Sequence, residues 1–234
     1  MTRARFALLC VFAMSVAGCS TSEPAARTER PAPSDSSAPA PTPSTSASET
    51  PRIVILGDSL TAGLGIEKSQ SFPSLLQERL DAEGLRYEVV NAGVSGDTTA
   101  GGLRRFEWAT EGNVDVLVIA LGGNDGLRGL PVAETRRNLA QIIERAQQRG
   151  IRVILAGMEA PPNYGEQYTS EFRQTFSDLA KQYNVTFVPF LLEGVAGVPA
   201  LNTADGIHPN PEGARVVERN IWKALEPVLH ERTR

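Results

Sequence analysis

The chain has 234 residues, with 27 acidic against 23 basic side chains for a formal net charge of −4, and only two cysteines and two histidines. Its length suits one full-sized domain with appendages, and the acidic balance, with no clustered run of Lys and Arg, excludes the usual electrostatic footprint of a nucleic-acid partner. Both cysteines, Cys10 and Cys19, fall in the N-terminal segment, so the remainder has no disulfide, no thiol chemistry and no cysteine-based metal site.

At the N-terminus Arg3 and Arg5 precede an apolar stretch over residues 6–17, followed by Gly18-Cys19-Ser20. This is the pattern of a secretory signal, and its apolar stretch of about twelve residues falls short of the about 20 that a bilayer-spanning helix needs. Val16-Ala17-Gly18-Cys19 sets small residues before a cysteine as a bacterial lipobox does. Residues 1–19 are therefore expected to be a lipoprotein signal peptide ending at a lipidated Cys19; an ordinary signal peptide cut nearby would leave Cys19 incidental. Ser20, rather than Asp, beside that cysteine resembles lipoproteins sorted to the outer membrane. The expected location is the bacterial cell envelope, membrane-anchored and facing the periplasm, in the outer rather than the inner membrane.

Residues 20–51 are almost all Pro, Ala, Ser and Thr with a few charges. Nothing there can repay the entropy of ordering, so the segment is expected to be a disordered tether. Its reach is about 30 Å if flexible and up to about 90 Å if its prolines keep it extended.

The domain expected over 52–234 alternates short apolar runs with longer amphipathic ones. Ile53-Val54-Ile55-Leu56 reads as a buried strand and 72–82 as a helix; Tyr87-Glu88-Val89-Val90 is the second strand and 103–110 the second helix. Val116-Leu117-Val118-Ile119-Ala120 and a helix over 132–149 follow, the helix with one apolar stripe of Leu139, Ile142, Ile143 and Ala146 between Pro131 and Gly150. Val153-Ile154-Leu155-Ala156, a helix over 166–183, Thr186-Phe187-Val188-Pro189 and a final helix over 211–229 complete the order. Continuous apolar strands separated by helices imply a parallel sheet covered on both faces. The expected fold class is α/β: a three-layer α/β/α doubly wound, flavodoxin-like sandwich with a five-stranded parallel sheet. In such folds ligands bind at the carboxyl ends of the strands, which is where chemistry is to be sought.

Directly after the first strand comes Gly57-Asp58-Ser59-Leu60-Thr61, where a glycine lets the chain leave the sheet sharply and a serine opens the next helical turn; Asp and Ser are equally ordinary N-cap residues. Asn91 to Thr98 after the second strand contains Gly93 and Gly96, which allow close backbone approach to a ligand, so that an amide N–H can meet a developing oxyanion. The third strand ends in Leu121-Gly122-Gly123-Asn124-Asp125, whose Asn can donate into the same cleft or simply form a turn. Asp205-Gly206-Ile207-His208 precedes the last helix, and the other histidine, His230, sits near the C-terminus. A serine nucleophile needs a base near neutral pKa and a carboxylate that fixes the imidazole tautomer; Asp205 and His208 can supply both from one loop, although a capping Asp and a surface His would look the same. Each signal is ambiguous alone, but all fall where this fold gathers its ligand site.

These segments resemble the four sequence blocks of the SGNH (GDSL) hydrolase family. Gly57-Asp58-Ser59-Leu60 is similar to the nucleophile block, Gly96 to the oxyanion glycine, Gly122-Gly123-Asn124-Asp125 to the block with the oxyanion asparagine, and Asp205 with His208 to the block holding acid and base. The resemblance covers residues 52 to about 229 and is closest to the bacterial periplasmic thioesterase, arylesterase and lysophospholipase branch, from which this chain departs in its lipobox and long tether. It implies a carboxylic ester hydrolase with Ser59, Asp205 and His208 as catalytic triad, and with the N–H groups of Ser59 and Gly96 and the side chain of Asn124 as oxyanion hole. No cofactor or metal is implied. Asp58 and Asp125 read as loop-organising carboxylates.

Leu127, Leu130, Pro161 and Pro162 follow the third and fourth strands and are candidates to line an acyl groove, or loop packing. The implied substrates are small-molecule esters, thioesters or lysophospholipids, with the membrane met through the N-terminal lipid anchor and the domain a monomer. The alternatives are a carbohydrate O-acetylesterase, or a non-catalytic lipid- or glycan-binding lipoprotein. No Gly-x-Ser-x-Gly elbow, dinucleotide fingerprint, Walker motif or His-Glu-x-x-His is present.

Overall fold

The structure, a computed structural model, describes residues 50–231. The signal segment with Cys19 and the tether up to residue 49 lie outside the described residues.

Five parallel strands, β1 (Arg52–Gly57), β2 (Glu88–Gly93), β3 (Val114–Ala120), β4 (Arg152–Ala156) and β5 (Thr186–Val188), form one sheet in the order β2-β1-β3-β4-β5. Ile53 to Leu56 and Val116 to Ile119 are fully buried, as their uninterrupted apolar sequence requires of strands covered on both faces. Strand order reverses at β1, which pairs with β2 on one side and β3 on the other. The crevice outside the carboxyl ends of these strands is the fold's ligand position.

Among the described residues eight α-helices flank the sheet: α1 (Ser59–Ala62), α2 (Phe72–Ala82), α3 (Thr99–Arg104), α4 (Phe106–Ala109), α5 (Gly123–Leu127), α6 (Val132–Gln148), α7 (Glu166–Tyr183) and α8 (Pro211–Glu231). α2 packs with α8, while α6 packs with both α3 and α7, giving the expected three layers. α6 buries Val132, Thr135, Leu139, Ile142, Ile143 and Ala146, one stripe at helical spacing, and the chain turns away at Gly150 with φ +71°.

Two of the departures from the sequence expectation bear on the site. β2 runs on to Gly93 rather than ending at Val90, because pairing with β1 continues through Asn91↔Ile55 and Gly93↔Gly57. The helix expected over 103–110 starts earlier and is broken: Thr98 caps α3 by accepting from the Gly101 N–H, and α3 and α4 are separated at Arg105. The Arg105 side chain turns inward there, to Asp97 and to the carbonyls of Ala92 and Gly57. Helical periodicity carries no trace of that long-range demand.

Candidate active site

Ser59 opens α1 directly beyond β1, its turn capped by Asp58, whose Oδ1 accepts the Leu60 N–H at 3.0 Å. The sharp exit from the sheet depends on close backbone approach. A Cβ on Gly57 would lie 1.9 Å from Thr61 Oγ1, and one on Gly93 would lie 2.3 Å from the Ala62 nitrogen. Any side chain at either position would push α1 off the strand ends and displace the serine hydroxyl with it.

His208 reaches Ser59 from the loop before α8, 149 residues away in sequence, with Nε2 2.8 Å from Ser59 Oγ. Its Nδ1 lies 2.7 Å from Asp205 Oδ2. The other carboxylate oxygen, Oδ1, accepts the backbone N–H of Ile207 at 2.8 Å and of His208 at 3.0 Å, and the Thr203 hydroxyl at 2.9 Å. The N–H of His208, then that of Ile207 and the imidazole contact, hold the Asp205 carboxyl far below the usual carboxylate range, so it stays ionised beside the imidazole. Behind the loop, Thr203 N–H donates to the His208 carbonyl at 2.7 Å, Asn202 pairs with Pro209, and the Asn202 amide donates to the carbonyls of Val195 and Val198.

The opposite wall is built from the ends of β2 and β3. Gly96, at φ +81°, lines the cleft; its carbonyl accepts Arg128 Nη2 at 2.9 Å, bridging the two loops. Arg105 ties this wall to the sheet, with Nε to Asp97 at 2.7 Å and its two terminal nitrogens 2.8 Å each from the carbonyls of Ala92 and Gly57. Asn124 sits in α5 and turns its Nδ2 toward Asp58 Oδ2 at 3.4 Å. Buried Asp125 accepts both the N–H of Thr99, at 2.9 Å, and its hydroxyl, at 2.6 Å, and Asn138 donates to that hydroxyl at 3.0 Å.

Ser59, His208, Gly96 and Asn124 thus border one cleft of about 300 Å³, whose remaining lining includes Leu64, Leu127, Met158, Leu192, Ile207 and Glu159. Of the four residues considered for an acyl groove, only Leu127 lines it. Leu130 is held by its carbonyl to the Tyr168 hydroxyl, and Pro161 and Pro162 lead into the 3-10 turn Pro162–Tyr164. Met158 and Glu159 line it from just after the fourth apolar run, where the strand-end rule points, although their residue types carry no signal of their own. Arg105, Thr99 and Asn138 carried no sequence signal. Among the described residues no three His, Cys, Asp or Glu side chains cluster as metal ligands.

Chemically, the arrangement offers a hydroxyl in contact with a base, an ionised carboxylate behind that base, and an amide donor across the cleft. These are the parts of an acyl-transfer site.

A family model described as GDSL-like Lipase/Acylhydrolase family matches residues 55–216. The chain is 44% identical over 178 residues, 76% of its length and 89% of the relative's, to Esterase TesA of Pseudomonas aeruginosa. It is 34% identical over 185 residues, 79% of its length and 88% of the relative's, to Thioesterase 1/protease 1/lysophospholipase L1 of Escherichia coli K12. Among solved structures, the psychrotrophic esterase EstA from Pseudoalteromonas sp., inhibited by monoethylphosphonate, superimposes with a TM-score of 0.73 at 32% identity, covering 76% of this chain and 98% of that one.

Proposed function

The chain belongs to the GDSL-like lipase/acylhydrolase (SGNH) family and is a carboxylic ester hydrolase of the serine esterase/thioesterase type, and on that premise we propose that Ser59 is its nucleophile, His208 its general base and acid, and Asp205 the carboxylate that orients the base. The observation that carries this reading is the unbroken contact chain from Ser59 Oγ to His208 Nε2 at 2.8 Å and from His208 Nδ1 to Asp205 at 2.7 Å. Ser59 Oγ attacks the ester or thioester carbonyl carbon and its proton passes to His208 Nε2. The tetrahedral intermediate collapses as that proton moves to the leaving alcohol or thiol, leaving an acyl-enzyme. Water, deprotonated by His208, then releases the acid and restores the serine. The N–H groups of Ser59 and Gly96 and the amide of Asn124 receive the oxyanion.

The cleft favours fatty acyl groups. Leu64, Leu127, Met158, Leu192 and Ile207 from five separate segments converge beside the serine, an apolar lining that rewards chain length by about 0.8 kcal/mol for each buried methylene. Lysophospholipids, acyl thioesters and aryl esters are the substrate classes in view. The lipobox at Val16-Ala17-Gly18-Cys19 supports anchoring through a lipidated Cys19 at the envelope, with the domain working as a tethered monomer on the periplasmic side.

A panel of nitrophenyl esters graded by acyl length tests the substrate reading. The kcat/KM value should rise from acetate toward medium chains and vanish in Ser59→Ala; activity confined to acetate would defeat it. For the anchor, Cys19→Ala should move the protein from the membrane fraction to the soluble envelope fraction, and unchanged membrane association would contradict lipidation.

A further inference from the structure

Asp58 is a buried carboxyl, 1% exposed, that the proton relay does not use. Capping a single helical turn does not call for an ionisable group, since Ser, Thr or Asn serves as well. Its second oxygen points across the cleft floor: Oδ2 lies 3.4 Å from Asn124 Nδ2, and a Cβ on Gly123 would stand only 3.1 Å from it. The glycine before Asn124 therefore leaves room for this carboxylate and no more.

We propose that Asp58 is the positioning residue of the oxyanion site, its Oδ1 capping the turn that carries Ser59 while its Oδ2 fixes the amide of Asn124. This rests on Asn124 being an oxyanion donor as set out above. An ionised carboxylate accepts and never donates, so it fixes which way the amide faces: Nδ2 turns toward Asp58, one of its hydrogens is committed there, and the other is left for the substrate oxyanion. One side chain thereby sets the distance between nucleophile and oxyanion donor, which sit in α1 and α5, although Asp58 and Asn124 lie 66 residues apart in the chain.

Burial raises the Asp58 carboxyl from 3.8 to about 6, against the lowering effects of the Leu60 N–H, of His208 and of the Asn124 amide. The titratable and charged groups around it are His208 from the loop before α8, with Asp205 behind it, Glu159 from the loop after β4, and the Arg105–Asp97 pair, whose guanidinium bonds the Gly57 carbonyl next to Asp58. Protonation of Asp58 puts a donor where an acceptor is required, so the amide loses its fixed orientation as pH falls through about 6.

The test is a double-mutant cycle on the full chain, read as kcat and KM with a nitrophenyl ester. Asp58→Asn places an amide against an amide and should lower kcat about tenfold, less than the about 10²-fold or more for losing the donor outright, with KM little changed. In an Asn124→Ala background the same substitution should change kcat by less than about twofold, because coupled residues are non-additive; an equal cost in both backgrounds overturns the proposal. Asp58→Ser keeps the cap but lacks the second oxygen and should lose turnover as Asp58→Asn does; wild-type turnover overturns it. If neither Asp58 variant folds, the acid limb of kcat still decides: wild type should show an ionisation near 6 that Asn124→Ala lacks, and an unchanged limb in Asn124→Ala overturns the proposal. Full turnover in Asn124→Ala would instead sink the oxyanion role of Asn124, a separate and earlier failure.

Discussion

The two walls of the cleft are held together in opposite ways. The acid–base wall is local: Asp205 and His208 lie three residues apart, and the loop organises itself through Asp205 Oδ1, which gathers the Thr203 hydroxyl and two backbone N–H groups. The oxyanion wall is assembled from a distance, with Arg105 reaching 48 residues to the Gly57 carbonyl and Asp125 reaching 26 residues to Thr99. The outer carboxylate of the local wall is also exposed: the Asp205 side chain keeps 47% of its surface, while His208, at 16%, is as covered as the Arg105–Asp97 pair at 15% and 13%. The contrast separates two kinds of damage. Substitution in the first wall should remove chemistry and leave the fold, whereas substitution behind the second should cost both.

The largest expected effect is therefore His208→Ala, which should lower kcat by about 10⁴-fold or more while the melting temperature moves little; a large drop in melting temperature would break the contrast. Asn124→Ala comes next, at about 10² to 10³-fold in turnover, measured on the same ester. Arg105→Ala acts mainly through stability. It strands Asp97 and two carbonyls in a part-buried site, and breaking such a pair costs about 3–5 kcal/mol, to be read from denaturant unfolding.

The smallest effect is one of sign. Asp58 is held up to about 6 from 3.8 by burial. A carboxyl raised in the folded state binds its proton more tightly there, so stability is lost as pH rises from about 4 through about 6. The shift of about two units corresponds to about 3 kcal/mol. Asp58→Asn should accordingly raise stability at pH 8 relative to wild type and lose that advantage at pH 4, a gain in stability set against lost turnover. Asp205 runs the other way: its lowered carboxyl contributes stability at neutral pH that fades as pH falls from the ordinary carboxylate value of 3.8 toward its lower folded value.

The same division explains what the amino-acid pattern reveals. Strands β1 and β3 are legible because burial on both faces demands uninterrupted apolar residues, and α6 because its stripe runs between Pro131 and Gly150. The Asp-Gly-Ile-His loop is legible because its chemistry is local. The break between α3 and α4 is not, since it serves the distant partners of Arg105, and neither are Thr99 and Asn138, which gather around the legible Asp125 and look like ordinary surface polar residues until the sheet brings them together. The lining residues Met158 and Leu192 look like any other buried hydrophobic, and only the position of the strand ends marks them as cleft.

The central claim is that Ser59 is the hydroxyl activated by His208. Treating the purified protein with a fluorophosphonate, then mapping the adduct by peptide mass spectrometry, tests it most directly. The expected result is a single adduct on the peptide containing Ser59, formed rapidly in wild type and barely at all in His208→Ala. An adduct on any other residue, or equal labelling rates with and without the imidazole, would contradict it.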